Sequence, residues 1–185
     1  MLEHIFIIGN SNGLIVSNNL IIVMGLPGTG KTYFARALAQ HIGASHFNSD
    51  VTRKVLSREP GYSSREKGDV YDKLYRDVKS ELAAGRTVVL DATFSLSKYR
   101  EPYMDLATRL GYGLHIILIE ADEALIKERV SVKRPDSDAD FEVYKKIKSE
   151  YEKIEQDHTM IESGKDNLKE MIASAMDYIQ RDNQL

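Results

Sequence analysis

The chain has 185 residues, which is the length of one ordinary domain. It has no cysteine, so disulfide frameworks and thiolate metal sites are excluded. The net charge of -3 argues against a dedicated binder of duplex DNA, and no apolar run is long enough to span a bilayer. Because a signal-peptide pattern is also missing, we expect a cytoplasmic protein that has no membrane partner.

The first residues carry a hairpin pattern that is separate from the rest of the chain. Residues 5–8 and 14–16 are apolar and flank a turn-rich stretch at residues 9–13. Two short apolar runs around such a turn are typical of a β-hairpin. We therefore expect a hairpin extension over residues 1–19 and one main domain over residues 20–185.

Apolar runs alternate with helical spacing from residue 20 onward. Continuous apolar runs predict buried strands at 20–24, 87–90 and 114–119, and weaker runs predict strands at 45–48 and 159–161. Periodicity predicts helices over 31–41, 65–84, 98–110, 122–131, 139–157 and from about 166. Strands that alternate with helices indicate an α/β fold with a mainly parallel sheet. In such sheets ligands bind at the carboxyl ends of the strands, so the residues just after each strand are the first candidates for a site.

A glycine-rich loop comes directly after the first buried strand. It matches G-x-x-x-x-G-K-[ST] at every position and has the required strand before it and helix after it. In this motif backbone N–H groups bind phosphate oxygens, the lysine reaches the β- and γ-phosphates, and the final hydroxyl ligates Mg²⁺. The motif predicts binding of ATP with Mg²⁺ by Gly25, Leu26, Pro27, Gly28, Thr29, Gly30, Lys31 and Thr32.

Asp50 and Arg53 come after the second strand, beside the predicted triphosphate site. A carboxylate at this position can accept the proton of an attacking hydroxyl and align it on the γ-phosphorus. Arg53 lies three residues later on the same helical face and can hold an anionic group of the acceptor. Asp50 is equally suited to cap a helix N-terminus, since aspartate is favoured there.

Asp91 ends the third strand, after four apolar or hydroxyl-bearing residues. A carboxylate in this place can hold Mg²⁺ or its water shell, as a Walker-B residue does. The alternative is a helix or turn cap. Thr93 and Arg100 come next in the chain, on the side where the acceptor would bind, and they are weaker candidates for contacts with it.

A basic segment comes after the fourth strand and contains Arg129 and Arg134. Pro135 and the polar residues after it predict a lid over about residues 129–138. Arginines on a lid beside a triphosphate can stabilise phosphoryl transfer and exclude water. The alternative is a solvated helix end, where Lys and Arg interact favourably with the helix dipole.

These motifs together, namely GLPGTGKT, NSDVTRK, VVLDATF and ERVSVKRPDSDAD, resemble the small P-loop kinases of the polynucleotide-kinase and zeta-toxin type. Many members of that group carry the label AAA-family ATPase. The resemblance implies a three-layer fold whose five-stranded parallel sheet has the phosphate-loop strand at its centre. It also implies that Asp50 is the general base, that Arg53 binds the acceptor, and that Arg134, or else Arg129, contacts the triphosphate.

The resemblance implies a phosphotransferase that moves the γ-phosphate of ATP to a hydroxyl acceptor, such as a polynucleotide 5′ end. A kinase of nucleotides or other small metabolites is the first alternative, with Arg53 and Arg100 holding an acceptor phosphate. A nucleotide-dependent switch or regulatory ATPase is the second. The acidic net charge leaves a nucleic-acid acceptor open, because residues 50–67 are locally basic.

Overall fold

The computed structural model of the protein describes residues 18–56, 64–132 and 140–182. The predicted hairpin at residues 5–16 and the predicted lid residue Arg134 lie outside these ranges. No helix in the described ranges is long and apolar enough to cross a membrane. The elements are β1 (Asn19–Met24), α1 (Lys31–Ile42), β2 (Ser45–Asn48), α2 (Ser49–Leu56), α3 (Ser64–Ala83), β3 (Val88–Asp91), α4 (Ser97–Leu110), β4 (Gly113–Glu120), α5 (Glu123–Ser131), α6 (Phe141–Ser149), β5 (Thr159–Glu162) and α7 (Leu168–Asp182).

The strands of the described ranges form one five-stranded sheet in the order β2-β3-β1-β4-β5. Every pairing is parallel, so the prediction of an α/β fold with a parallel sheet is confirmed. The strand that precedes the phosphate loop lies at the centre, as the resemblance implied. Because all five strands run in the same direction, their carboxyl ends meet at one edge. The loops that carry the candidate site residues therefore share that edge.

The central strand β1 explains the three layers of the fold. Its six residues are all buried, as expected for a strand that is covered on both faces. Leu20 and Ile22 belong to a core cluster that also contains residues of α3 and α4. Ile21 and Val23 point to the opposite face, where the second cluster contains residues of α1 and α7. Alternation along one strand thus places helices on both faces of the sheet.

The helix predicted over residues 139–157 is wrong in its second half, because α6 ends at Ser149. Backbone groups of the next segment bond across the fold instead of within a helix. The N–H of Glu152 donates to the carbonyl of Ser95 at 2.8 Å, and the carbonyl of Lys153 accepts from Arg100 Nη2 at 2.6 Å. These tertiary bonds occupy the groups that a continued helix would need.

Candidate active site

The phosphate loop connects the end of β1 to the first residue of α1, as the motif predicted. Gly25, Gly28 and Gly30 have φ angles of 148°, 86° and 92°, which side-chain-bearing residues rarely adopt. Space is also limited, since a Cβ on Gly30 would lie 2.9 Å from Ser163 Oγ and 3.2 Å from Arg129 Nη1. Both the conformation and the close packing therefore require glycine at the end of the loop.

A cavity of about 760 Å³ opens beside the phosphate loop. Gly28, Gly30, Lys31 and Thr32 line one wall, and residues 163–171 line the other. Lys31 is only 8% exposed, so its side chain is enclosed at the start of α1. The helix dipole of α1 favours negative charge at this end, which makes the cavity suited to a polyphosphate.

Asp50 also lines this cavity, from the first turn of α2. Arg53 Nη1 donates to Asp50 Oδ1 at 2.5 Å, so the two predicted acceptor-side residues form an ion pair. The cap of α2 is not Asp50 but Asn48, whose Oδ1 accepts from the N–H groups of Asp50 and Val51 at 2.9 Å each. The carboxylate of Asp50 is thus oriented by Arg53 and does not serve as the cap.

A tyrosine pair lies close to this ion pair. Tyr71 of α3 stacks on Tyr99 of α4 with 4.4 Å between ring centroids and 13° between planes. Burial raises the pKa of Tyr71 well above its ordinary value, and the charges of Arg53 and Asp50 act on it in opposite directions. The Tyr71 phenol is therefore neutral at physiological pH. This leaves Asp50 as the better-suited proton acceptor of the two side chains.

Asp91 ends β3 and is fully buried. Its Oδ2 accepts from Asn48 Nδ2 at 2.5 Å, and His46 Nε2 lies 3.7 Å from the same oxygen. The other oxygen, Oδ1, has no hydrogen-bond partner among the described residues. A buried carboxylate oxygen without a protein donor fits a Mg²⁺ ion or its bound water, because hard cations prefer oxygen ligands.

Thr32 lies close to Asp91, because the side chain of Asn48 contacts both residues. The amide of Asn48 that donates to Asp91 also donates to Thr32 Oγ1 at 3.3 Å. The structure thus brings together the two residues that the sequence predicted as metal ligands. The described ranges contain no cluster of three or more His, Asp or Glu side chains that could hold a metal. A Mg²⁺ ion here would take its remaining ligands from water and phosphate, as is usual for this ion.

Arg129 contacts the phosphate loop from α5. Its Nη1 donates to the Thr29 carbonyl and to Ser163 Oγ at 3.1 Å each, and Nη2 donates to the Gly164 carbonyl at 2.6 Å. The guanidinium joins the two walls of the cavity. Arg129 was predicted as a lid residue that contacts the triphosphate, and the structure places it against the backbone of the loop that would bind the triphosphate.

Arg100 and Thr93 do not reach the cavity. Arg100 is 1% exposed, and its guanidinium donates to the carbonyls of Phe94 at 3.0 Å and Lys153 at 2.6 Å. The Thr93 carbonyl accepts from the Tyr151 hydroxyl at 3.2 Å. This geometry favours a structural role for Arg100, which fixes the loop after β3 against residues 150–154, over the predicted grip on an acceptor.

Sequence reasoning missed Asn48 and Ser163. Asparagine at the end of a strand and ahead of a helix is a cap signal, so the capping of α2 by Asn48 could have been predicted. Its bond to Asp91 spans 43 residues and has no local signal. The same holds for the bond of Arg129 to Ser163, which depends on how β5 lies beside β4.

Comparison with known proteins identifies the family. The family described as AAA domain matches residues 20–154, which is most of the chain. The chain belongs to the AAA domain family. The match includes the phosphate loop, Asp50, Asp91 and Arg129, and it ends inside the segment that Arg100 holds.

Curated relatives of this AAA domain protein carry names that give no activity, since each is called an uncharacterized protein. One, from Mycobacterium tuberculosis, is 32% identical over 113 residues. That alignment covers 55% of this chain and 22% of the relative, so the chain matches about a fifth of the relative's length. This match therefore assigns no activity of the whole relative to this chain.

Solved structures of low identity show the same fold. A sugar kinase from Janibacter, in an unliganded structure, is 18% identical with a TM-score of 0.65, and the match covers 88% of this chain and 95% of that one. The Mycobacterium tuberculosis APS kinase, in complex with AMPPNP and APS, is 15% identical with a TM-score of 0.66 and coverages of 89% and 98%. The AAA domain of this chain thus has a P-loop kinase-like fold.

Proposed function

We propose that the protein is an ATP-dependent phosphotransferase that moves the γ-phosphate of ATP to a hydroxyl acceptor. The observation that carries the proposal is that Asp50 lines the same cavity as Lys31 and Thr32 of the phosphate loop. A site that only bound nucleotide would not need an oriented carboxylate there. The kinase-like fold and the names of the structural neighbours, a sugar kinase and an APS kinase, agree with this proposal.

We assign each predicted site residue a part in phosphoryl transfer. The backbone of residues 25–30 and Lys31 hold the triphosphate, and Thr32 and Asp91 would hold Mg²⁺. When bound there, Mg²⁺ would supply positive charge that offsets the negative charge of the phosphates. Asp50, kept in orientation by Arg53, accepts the proton of the attacking hydroxyl while Lys31 and Arg134 offset the negative charge that develops on the phosphoryl group. The segment at residues 163–171 lines the same cavity as the phosphate loop.

The ion pair of Arg53 with Asp50 bears on the class of acceptor. Arg53 is 14% exposed and already holds a carboxylate, and Arg100 is enclosed by backbone carbonyls. Neither supports a small-metabolite kinase in which these two arginines grip an acceptor phosphate together. Arg53 therefore supports the proposal through Asp50, whose carboxylate it helps to hold in position, and that role suits any alcohol, a polynucleotide 5′-hydroxyl included.

An acceptor screen tests the proposal. The protein is incubated with γ-labelled ATP and Mg²⁺ against 5′-hydroxyl oligonucleotides, nucleosides, sugars and nucleotide-sugars. We expect label in one acceptor class with wild type and none with Lys31→Ala. If no acceptor takes label while a protein partner stimulates ATP hydrolysis, the switch or regulatory ATPase is the correct function and the kinase proposal is wrong.

A further inference from the structure

Asn48 lies between three groups that the proposed function needs. It is the last residue of β2 and is 7% exposed. On one side its Oδ1 accepts from the backbone N–H groups of Asp50 and Val51, at the start of the helix that carries the base. On the other side its Nδ2 donates to Asp91 and to Thr32.

The chemistry of these partners fixes the orientation of the amide. Two backbone N–H groups on one side require an acceptor, and the carboxylate of Asp91 on the other requires a donor. An asparagine amide presents an acceptor to one side and a donor to the other from a single short side chain. An aspartate would keep the cap and lose the donor, and an alanine would lose both. The site therefore uses a property that few residue types offer.

We infer that Asn48 is a positioning residue that sets the base Asp50 in register with the metal ligands Thr32 and Asp91. The inference rests on the proposed function for the roles of those three residues. By donating to Asp91 Oδ2, the amide leaves Oδ1 as the carboxylate oxygen with no protein partner among the described residues. By capping α2, the same amide fixes the first turn of α2, which carries Asp50, relative to the end of β2. Two halves of the reaction site are thus joined through one side chain.

The variant Asn48→Asp distinguishes the two roles of the amide, because it keeps the acceptor and removes the donor. It retains the acceptor that caps α2, so the helix is expected to form. It also brings a second carboxylate against the buried Asp91, and a proton or a cation must offset that charge. We expect MgCl₂ without nucleotide to raise the melting temperature of Asn48→Asp by at least about 2 °C more than it raises that of wild type.

Nucleotide binding and catalysis give the second readout. ADP affinity measured in EDTA is expected to stay near that of wild type, because the variant leaves Lys31 and the backbone N–H groups of residues 25–30 unchanged. The rate of phosphoryl transfer is expected to fall about 10-fold to 100-fold with little change in KM for ATP, as is usual when a partner of a metal-binding carboxylate is replaced. Asn48→Ala also lacks the cap of α2, so its melting temperature in the presence of Mg²⁺ is expected to be lower than that of Asn48→Asp.

Thr52→Val is the matched control. Thr52 Oγ1 donates to the backbone carbonyl of Asn48 at 3.0 Å, so this variant removes a bond from the same turn without touching the amide. It is expected to show the Mg²⁺ response of wild type. If Asn48→Asp matches Thr52→Val in its Mg²⁺-dependent melting shift, the inference is overturned. If no acceptor is ever phosphorylated, the melting shift and the ADP affinity still decide the role of Asn48, whereas the proposed function fails.

Discussion

The guanidinium of Arg129 donates a hydrogen bond to the backbone carbonyl of Thr29 at 3.1 Å, over a separation of 100 residues. The same side chain donates to the carbonyl of Gly164 at 2.6 Å. The phosphate loop and the loop after β5 are therefore held together by one planar cation. Since both loops line the cavity, the shape of the cavity depends on Arg129.

Replacement of Arg129 is expected to weaken nucleotide binding. Arg129→Ala removes charge-assisted hydrogen bonds to both walls and should raise the dissociation constant for ADP about 10-fold or more. Arg129→Lys keeps the charge but lacks the planar guanidinium that can donate to both loops. Its dissociation constant for ADP should lie between those of wild type and Arg129→Ala. Calorimetric titration with ADP measures this, with exposed Arg181→Ala of α7 as the control. An unchanged ADP affinity with a lower turnover would mean that Arg129 acts on the transferred phosphoryl group instead.

Gly30→Ala is expected to disrupt the phosphate loop. The added Cβ would meet Ser163 Oγ at 2.9 Å and would stand on a residue whose φ is 92°. The matched change is Gly68→Ala inside α3, where nothing lies within 4 Å of the added carbon. We expect Gly30→Ala to abolish measurable ADP binding, and Gly68→Ala to stabilise the protein by about 0.5–1 kcal/mol. ADP binding by Gly30→Ala at wild-type strength would contradict the geometry of the loop.

Arg100→Lys is expected to affect stability rather than the acceptor. The buried guanidinium bonds to the carbonyls of Phe94 and Lys153, and a lysine cannot reproduce both bonds. The free energy of unfolding should fall by about 2–3 kcal/mol, as denaturant titration would measure. Exposed Arg109→Lys of α4 is the control. A higher KM for the acceptor at unchanged stability would instead support the predicted contact between Arg100 and the acceptor.

The stability of the β2 edge is expected to depend on pH through Glu81. Hydrogen bonds from Arg86 and from Ser45 Oγ, at 2.6 Å each, hold the pKa of Glu81 at about 2. A lowered pKa stabilises the fold above the unfolded value of about 4.3, and that stabilisation is lost as the pH falls toward 2.

Glu81→Gln should therefore melt below wild type at pH 7, and the difference should close between about pH 4 and pH 2. Melting curves over this range, with exposed Glu101→Gln as the control, measure the effect. A difference in melting temperature that does not change with pH would show that the ion pair with Arg86 is not the cause.

The sequence predicted the fold well because its signals are local. The apolar run before Gly25 indicates a buried strand, and the motif that ends at Thr32 includes the start of its own helix. The helix at 139–157 was overextended because tertiary bonds from Arg100 and Tyr151 capture the chain after Ser149. Local periodicity carries no information about such bonds.

The candidate site was predicted only in part, for the same reason. Asp50, Asp91 and Thr32 each belong to a recognisable strand end or motif, and the structure brings them to one edge of the sheet. How they are joined depends on Asn48, whose partners lie 16 and 43 residues away. The burial of Arg100 also cannot be read from its neighbours in sequence, so its contact with the acceptor stays a prediction that the geometry does not favour.

The most direct test of the account is phosphoryl transfer by Asp50→Asn to the acceptor found in the screen. Asparagine keeps the shape of the side chain and cannot act as the base. Phosphoryl transfer is expected to fall about 100-fold or more while ADP affinity stays near that of wild type. Asp69→Asn, at an exposed aspartate of α3, should transfer phosphate normally. Transfer by Asp50→Asn at the wild-type rate, with ATP still bound, would contradict the central claim.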